Sequence, residues 1–231
     1  MYPEVSVIIP SLNEEKYIED TLLSIRKQTH KKAEIIVVDG LSKDRTAEIA
    51  KKRADKVLVK KTNISQARNL GAKHAKGEIL VFVDADTVLS PSWIERVLEE
   101  FGNPETVCVF GPVMPKEGGM KNKILCKIFY NLFQRVFLLF NFSQFSAINL
   151  SIRKEVFGKT AGFDENLAAA EDIDMARKIR RHGKTVFNKQ AVAYTSMRRH
   201  KSLYEGSKLI GNWLYYSLTG QSRIKNYKGY R

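Results

Sequence analysis

Two aspartates separated by one residue, Asp84 and Asp86, follow the strongly apolar run 79–83. That run predicts a buried β-strand, so both carboxylates belong to the point where an interior strand ends. Burying two carboxylates together is unfavourable unless a cation neutralises them. Mg²⁺ or Mn²⁺, bound by one or two carboxylates and by the phosphates of a substrate, fits this arrangement. The alternative is an ordinary loop in which an aspartate caps a helix.

A second acidic group, Glu171, Asp172 and Asp174, lies within a segment whose pattern is helical. A carboxylate in such a group can serve as a general base that takes a proton from a hydroxyl nucleophile. The same residues also suit the first turn of a helix, where the helix dipole favours acidic side chains. The acidic group alone does not distinguish catalysis from helix stabilisation.

The net charge of the chain is +14, from 39 Lys and Arg against 25 Asp and Glu in 231 residues. This excess favours phosphorylated or polyanionic partners, namely nucleotides, anionic lipids or nucleic acid. Nucleic acid is disfavoured as the partner because the sequence contains no recognised binding module. The acidic residues also gather at predicted strand ends, where they would repel a polyanion.

The chain shows no targeting segment and no run of roughly 20 apolar residues that could span a membrane. Its two cysteines, Cys108 and Cys126, lack the spacing of metal ligands and are predicted to be reduced thiols. These features predict a cytoplasmic protein, either free or at the cytoplasmic face of a membrane.

The first 110 residues alternate between β-branched runs and helical patterns. The predicted strands are 5–9, 34–38, 56–59 and 78–83, and the predicted helices are 17–28, 45–53 and 65–76. Nearly continuous apolar strands separated by helices indicate an α/β fold whose mostly parallel, Rossmann-like central sheet carries helices on both faces. Ligands bind such sheets at the carboxyl ends of the strands. Segments 10–15, 39–44 and 84–86 are therefore expected to lie together along this edge of the sheet, which we call the rim.

Six motifs, in order and spacing, resemble the family 2 glycosyltransferases of the GT-A fold. They are Ser6-Val7-Ile8-Ile9-Pro10 with Asn13-Glu14-Glu15, Val37-Val38-Asp39 with Ser42, Asp44 and Thr46, Ala67-Arg68-Asn69 with Gly71, Asp84-Ala85-Asp86, Gly162-Phe163-Asp164-Glu165, and Glu171-Asp172-Ile173-Asp174. The resemblance covers roughly residues 4 to 190. The family often has Asp-Asp-Gly-Ser after the second strand, whereas this chain has Asp39-Gly40-Leu41-Ser42.

The resemblance implies a metal-dependent, inverting enzyme that moves a sugar from a UDP- or GDP-sugar to a saccharide or lipid-linked acceptor. It implies Mn²⁺ or Mg²⁺ at the DXD motif, with Asp86 and Asp84 as ligands. Asp172 would be the general base, and Glu171 would orient the acceptor or raise the pKa of the base. The residues implied to bind the donor are Pro10, Asn13, Glu14, Asp39, Arg68 and Asp84.

Two arginines further along the chain, Arg198 and Arg199, match a Ser-x-Arg-Arg segment found in some members of the family. Guanidinium groups bind phosphate in a bidentate manner, so either residue is a candidate to hold the donor diphosphate. A solvated basic surface is the equal alternative. His200 is either a metal ligand or an exposed side chain.

The remaining segments predict an acceptor side and a basic tail. Residues 124–140 form a Phe-rich amphipathic pattern that suits a core helix, a peripheral membrane contact or a second subunit. Residues 197–231 hold eight Lys or Arg and one Glu. We therefore divide the chain into a nucleotide-sugar-binding half (1–110), an acceptor and catalytic-base half (111–196) and a basic helical tail (197–231). A nucleotide-binding scaffold without transfer activity is the other interpretation of the same motifs.

Overall fold

The computed structural model describes residues 4–117 and 146–196, together with Arg198 and short pieces between residues 211 and 224. The strands in these parts are β1 (Val5–Ser11), β2 (Ala33–Asp39), β3 (Lys56–Val59), β4 (Ile79–Phe82), β5 (Thr87–Leu89), β6 (Thr106–Phe110), β7 (Val113–Pro115), β8 (Leu150–Arg153), β9 (Lys184–Phe187) and β10 (Ala193–Thr195). The helices are α1 (Ile18–Arg26), α2 (Thr46–Lys51), α3 (Ile64–His74), α4 (Trp93–Phe101), α5 (Lys154–Lys159) and α6 (Glu171–Ile179). The Phe-rich segment 124–140, Arg199 and His200 lie outside the described residues.

A seven-stranded sheet in the order β3-β2-β1-β4-β8-β6-β9 forms the centre of the molecule. Strands β1 to β4 are mutually parallel where they pair, as is the β6–β9 pair. Strand β8 is antiparallel to both of its neighbours, β4 and β6. The prediction of a mostly parallel α/β sheet is confirmed, and the antiparallel strand in its middle is an addition that the sequence pattern did not indicate.

Helices cover both faces of this sheet because successive strand residues point to opposite sides. The odd-numbered apolar residues of β1, such as Val7 and Ile9, share a core with α1, α2 and α4. The even-numbered Ile8 packs instead into a second core with α3, α5 and α6. This arrangement brings the N-terminal end of α6 and the middle of α3 to the same face of the sheet.

A smaller three-stranded sheet, in the order β5-β10-β7, lies beside the carboxyl end of β4. Strand β10 pairs antiparallel with β5 and parallel with β7. Asn149 joins this region to the main core: its amide donates to the carbonyls of Pro112 and Ala191, and its Oδ1 accepts from the Trp93 indole at 3.0 Å. The residues after β10 are thereby directed toward the aspartates that follow β4.

Candidate active site

The two aspartates that follow β4 are held in a tight, buried turn. Asp84 and Asp86 are 8% and 6% exposed. The backbone N–H of Thr87 donates to the carbonyl of Asp84 at 3.1 Å, and the Thr21 hydroxyl of α1 donates to the carbonyl of Ala85 at 2.8 Å. These contacts hold the backbone of the turn that carries both carboxylates.

A buried arginine of α3 joins this turn to the second acidic group. The guanidinium of Arg68, which is 1% exposed, donates from Nη2 to Asp84 Oδ1 at 3.1 Å and from Nη1 to Glu171 Oε1 at 2.9 Å. Its Cζ also lies 5.3 Å from the centre of the Phe163 ring. The structure thus places Arg68 beneath the rim as a bridge between two acidic motifs that are 87 residues apart in sequence (171 minus 84).

The second acidic group begins helix α6, as its pattern predicted. Ala170, directly before the helix, has φ 73°, a left-handed conformation that is unfavourable for a residue with a side chain. This turn leads into buried Glu171 and partly buried Asp172. Burial and the neighbouring Glu171 carboxylate raise the pKa of Asp172 to about 8, while the charge of Arg68 opposes that rise. A carboxyl group in this state has the proton affinity of a general base that works near neutral pH.

The third acidic residue of α6 has different contacts from the first two. Asp174 accepts a hydrogen bond from the Tyr216 hydroxyl at 3.0 Å and forms an ion pair with Lys178 at 2.7 Å. Arg177 lies over the ring of Tyr216, 5.7 Å from its centre. Asp174 therefore joins α6 to a piece of the C-terminal tail.

At the carboxyl end of β2, Asp39 is buried and hydrogen-bonded to its own turn. Its carboxylate accepts from the backbone N–H of Ser42 at 2.9 Å and from the Ser42 hydroxyl at 2.5 Å, and the Ser11 hydroxyl lies 3.4 Å away. Because a carboxylate has about four acceptor positions, it can still receive an N–H from a ligand. Asp39 is therefore preorganised at the rim where a nucleoside was predicted.

The segment after β1 is tied to the segment after β2. Asn13, which is exposed and has φ 55°, accepts from the backbone N–H of Lys43 at 2.8 Å. The backbone N–H of Glu14 donates to the Thr46 hydroxyl at 2.7 Å. Pro10, by contrast, lies within β1 in register with Val38 and is buried. Of the residues predicted to line the nucleoside pocket, Asn13 is thus at the surface of the rim and Pro10 is below it.

Arg198 contacts the same rim from the far end of the chain. Its Nη2 lies 2.5 and 2.6 Å from the two carboxylate oxygens of Glu14 and 3.1 Å from Asp86 Oδ2. The guanidinium also stacks on the Tyr17 ring, 4.2 Å from its centre. These contacts place Arg198 among the predicted donor-binding and metal-binding carboxylates and not on a solvated basic surface.

Three contacts at the site were not predicted from sequence. Thr195 donates from its hydroxyl to Asp86 at 3.3 Å, Tyr17 lies under Arg198, and Asn69 bonds the backbone of Phe163 through both its Oδ1 and its Nδ2. Asn69 belongs to the motif Ala67-Arg68-Asn69, so the sequence indicated that it lies near the site. The sequence did not indicate its hydrogen bonds to Phe163. No local pattern marks Thr195 or Tyr17.

The carboxylates at the rim could bind a divalent cation if the phosphates of a substrate supplied the remaining oxygen ligands. Among the described residues, no group of three or more His, Cys, Asp or Glu side chains is arranged to bind a metal. Asp84 and Asp86 are two buried carboxylates at the end of one strand, each with one oxygen bonded to an arginine. Two carboxylates completed by the phosphates of a substrate match the oxygen ligands that Mg²⁺ and Mn²⁺ prefer.

In the part of the chain that the structure describes, no helix combines the length and the hydrophobicity needed to cross a bilayer.

Comparison with known proteins gives one family match and several relatives. Residues 6–163 match the family model described as glycosyl transferase family 2. An uncharacterized glycosyltransferase of Haemophilus influenzae is 30% identical over 182 residues, which cover 76% of this chain and 61% of that protein. The uncharacterized glycosyltransferase EpsJ of Bacillus subtilis is 39% identical over 106 residues, 43% of this chain and 31% of its own length. The chain thus spans less than two thirds of either relative.

Two solved structures share the fold at lower sequence identity. The mannosyltransferase PcManGT of Pyrobaculum calidifontis, in complex with GDP-Man and Mn²⁺, has a TM-score of 0.73 and 21% identity over 94% of this chain and 63% of its own. Residues 1–349 of Staphylococcus aureus TarS, in complex with UDP-GlcNAc, give a TM-score of 0.69 and 20% identity over 96% of this chain and 68% of that one. These likenesses confirm the predicted GT-A-type fold.

Proposed function

The chain belongs to glycosyl transferase family 2, and on this premise we propose that it transfers a sugar from a nucleoside-diphosphate sugar to an acceptor hydroxyl, with inversion at the anomeric carbon. The observation that carries the proposal is the buried bridge Asp84–Arg68–Glu171. It joins the strand end where a donor diphosphate would bind to the helix that carries Asp172. The bridge would thereby keep a donor site and a general base at a fixed distance from each other.

The donor is expected to lie along the rim, with each part of it facing a different residue. The Asp39 carboxylate would accept an N–H from the base, as in uracil or guanine. The Arg198 guanidinium, close to Asp86, would bind the diphosphate. PcManGT and TarS are described with GDP-Man and UDP-GlcNAc respectively, which supports a GDP- or UDP-sugar as the donor here.

Asp84 and Asp86 would hold Mn²⁺ or Mg²⁺ together with the donor phosphates, and PcManGT is described with Mn²⁺. Such an ion, when bound, neutralises charge on the departing diphosphate. Arg68 keeps Asp84 in place through its ion pair, since a buried carboxylate without a partner would be strongly disfavoured.

Asp172 would accept the proton of the acceptor hydroxyl at a carboxylate oxygen. As the proton leaves, the acceptor oxygen forms a bond to the anomeric carbon from the face opposite the diphosphate. The bond from that carbon to the diphosphate oxygen breaks, and its electron pair leaves with the nucleoside diphosphate. This single displacement inverts the configuration of the anomeric carbon. Burial, together with the neighbouring Glu171 carboxylate, maintains the raised pKa of Asp172.

The test is a transfer assay with a panel of UDP- and GDP-sugars, Mn²⁺, and saccharide or lipid-linked acceptors. We expect release of the nucleoside diphosphate together with a new glycosidic bond whose ¹H NMR coupling shows inverted configuration. A product of retained configuration would contradict the single displacement. Absence of nucleotide release with every donor and acceptor would contradict the proposed function and leave the scaffold interpretation.

We propose a lipid-linked acceptor in particular, reached by peripheral membrane contact. The support is the excess positive charge of the chain, half of which lies in residues 197–231, and the relative named glucosyl-dolichyl phosphate glucuronosyltransferase from Haloferax volcanii. That relative is 27% identical over 93% of this chain and 76% of its own length. Flotation with vesicles containing anionic lipid at low salt tests this proposal, and failure to float would contradict it.

A further inference from the structure

The turn after β2 contains a leucine in a conformation and an environment that both disfavour leucine. Leu41 has φ 69°, in the left-handed region that residues with a Cβ seldom adopt. Its side chain is also 50% exposed. A turn at this place would ordinarily carry Gly, Asn or Asp, which tolerate both the backbone angle and the solvent. Neither local propensity nor burial in the described residues accounts for leucine here.

Hydrogen bonds on both sides hold Leu41 in this conformation. Before it, the backbone N–H of Gly40 donates to the carbonyl of Ser11 at 2.8 Å. After it, the backbone N–H of Ser42 donates to the Asp39 carboxylate, and that of Lys43 donates to Asn13. The backbone of Leu41 is therefore held by hydrogen bonds of the turn on both sides, and its side chain is exposed at this turn.

Two further apolar side chains, Val59 and Leu12, lie near this turn. Val59, at the end of β3 and in register with Asp39, is 49% exposed. The Leu12 side chain reaches the same turn, because its Cδ1 lies 3.5 Å from where a Cβ on Gly40 would be. Among the described residues, Leu41 and Val59 are two of the three large hydrophobic side chains that are exposed, and the third, Tyr194, lies in the smaller sheet.

We infer that Leu41 contacts the face of the donor's nucleobase while the Asp39 carboxylate reads the edge of the same base. The inference rests on the proposed function and adds a residue that sets the affinity of the nucleoside pocket. Of the parts of a nucleotide sugar, only the base presents a flat and weakly hydrated face, since the sugar carries hydroxyls and the diphosphate carries charge. Leu41 supplies an exposed apolar side chain for the face of the base, and Asp39, two residues earlier, supplies a buried carboxylate for its edge.

The experiment compares wild-type protein with Leu41→Asn by calorimetry of UDP, GDP and inorganic pyrophosphate, each with Mn²⁺. Asparagine tolerates the left-handed backbone but removes the apolar surface. We expect the affinity for the nucleoside diphosphate that binds to fall about fivefold to tenfold, as for partial loss of a buried leucine. Pyrophosphate affinity should be unchanged, and the thermal midpoint should be unchanged or higher.

Ala161→Asn is the matched control, because Ala161 is also exposed and has φ 60° but belongs to a different loop. It should leave nucleotide affinity as in the wild type. Equal nucleotide affinity in wild type and Leu41→Asn would overturn the inference while leaving the proposed function intact. An equal loss for pyrophosphate would also overturn it, because the effect would then lie at the phosphates. A wild-type protein that binds neither nucleotide would overturn the inference and the proposed function together.

Discussion

Asp172 is the residue on which the chemistry of the proposed reaction depends. It stands in the first turn of α6, directly after buried Glu171 and the left-handed Ala170. Its neighbour Asp174 belongs to the same acidic motif but is bonded to Tyr216 and Lys178. The contacts of Asp174 thus give it a structural role, distinct from the role of general base expected for Asp172.

Replacing Asp172 by Asn should lower the transfer rate by about 10² to 10⁴, the usual contribution of a general base. Donor affinity should stay near the wild-type value because a base acts mainly in the transition state. Single-turnover kinetics and donor calorimetry measure the two quantities separately. Asp174→Asn is the matched control and should retain transfer. Full turnover by Asp172→Asn with a productive acceptor would show that the base is another group.

The pH dependence of transfer should report the environment of Asp172. Burial and the Glu171 carboxylate raise its pKa to about 8, so the base carries a proton at lower pH. We expect kcat/KM to increase with pH and to level off above about 8. Glu171→Gln removes the negative charge beside Asp172 and leaves Arg68 with an amide partner. The pKa of Asp172 should then fall, and the acidic limb of the kcat/KM profile should move to lower pH. A limb that stays in place in Glu171→Gln would contradict the assigned electrostatics.

At the scale of elements, α3 connects the site to the sheet. Successive residues of its motif have separate contacts: Arg68 bridges the acidic groups, Asn69 bonds the backbone of Phe163, and Gly71 lies against β1. A Cβ on Gly71 would lie closer to Ile8 Cγ2 than side-chain atoms approach in real structures. The motif therefore requires glycine for close packing, and this packing sets the position of Arg68.

Gly71→Ala should lower the free energy of unfolding by about 1–3 kcal/mol through overpacking. It should also weaken donor binding, because α3 must shift and carry Arg68 away from Asp84. Gly158→Ala is the control: it also lies in a helix, but nothing lies within 4 Å of its added Cβ, so stability should be unchanged or slightly higher. Denaturant unfolding of both variants measures the difference. An unchanged stability in Gly71→Ala would mean that the helix is not held against β1.

The predictable elements are those with a strong local pattern. Strand β3 and helices α1 and α3 were predicted within a few residues of their observed bounds because their apolar spacing is regular. Strands β5, β7 and β10 have three residues each, too few to show a period. Strand β8 pairs antiparallel with β4 and β6, and the sequence contains no signal for such long-range pairing.

The residues of the candidate site also divide into those that a local sequence pattern indicates and those that only long-range contacts place. The ends of apolar strands indicated Asp39, Asp84 and Asp86 because parallel strands present their carboxyl ends at one edge. The ion pairs of Arg198 with Glu14 and Asp86 join residues 184 and 112 positions apart. No pattern of composition or periodicity encodes these pairs, so the placement of Arg198 required the structure.

At the scale of the whole molecule, the positively charged chain brings its buried acids together at one rim. Asp84 and Glu171 are bonded to Arg68, and Glu14 and Asp86 are bonded to Arg198. The net charge of the chain is nevertheless +14, and a positive net charge favours association with anionic molecules such as nucleotides. This organisation predicts a nucleotide site whose affinity depends on both a divalent cation and the rim carboxylates.

The most direct test of that claim is calorimetry of UDP, GDP, CDP, ADP and dTDP with and without Mn²⁺, on wild type and Asp86→Ala. We expect one of the nucleotides to bind the wild type tightly only when Mn²⁺ is present, and Asp86→Ala to lose the Mn²⁺-dependent part. The preferred nucleotide would also identify the base of the donor. If no nucleotide binds in the presence of Mn²⁺, or if Asp86→Ala binds as well as the wild type, the rim is not the donor site.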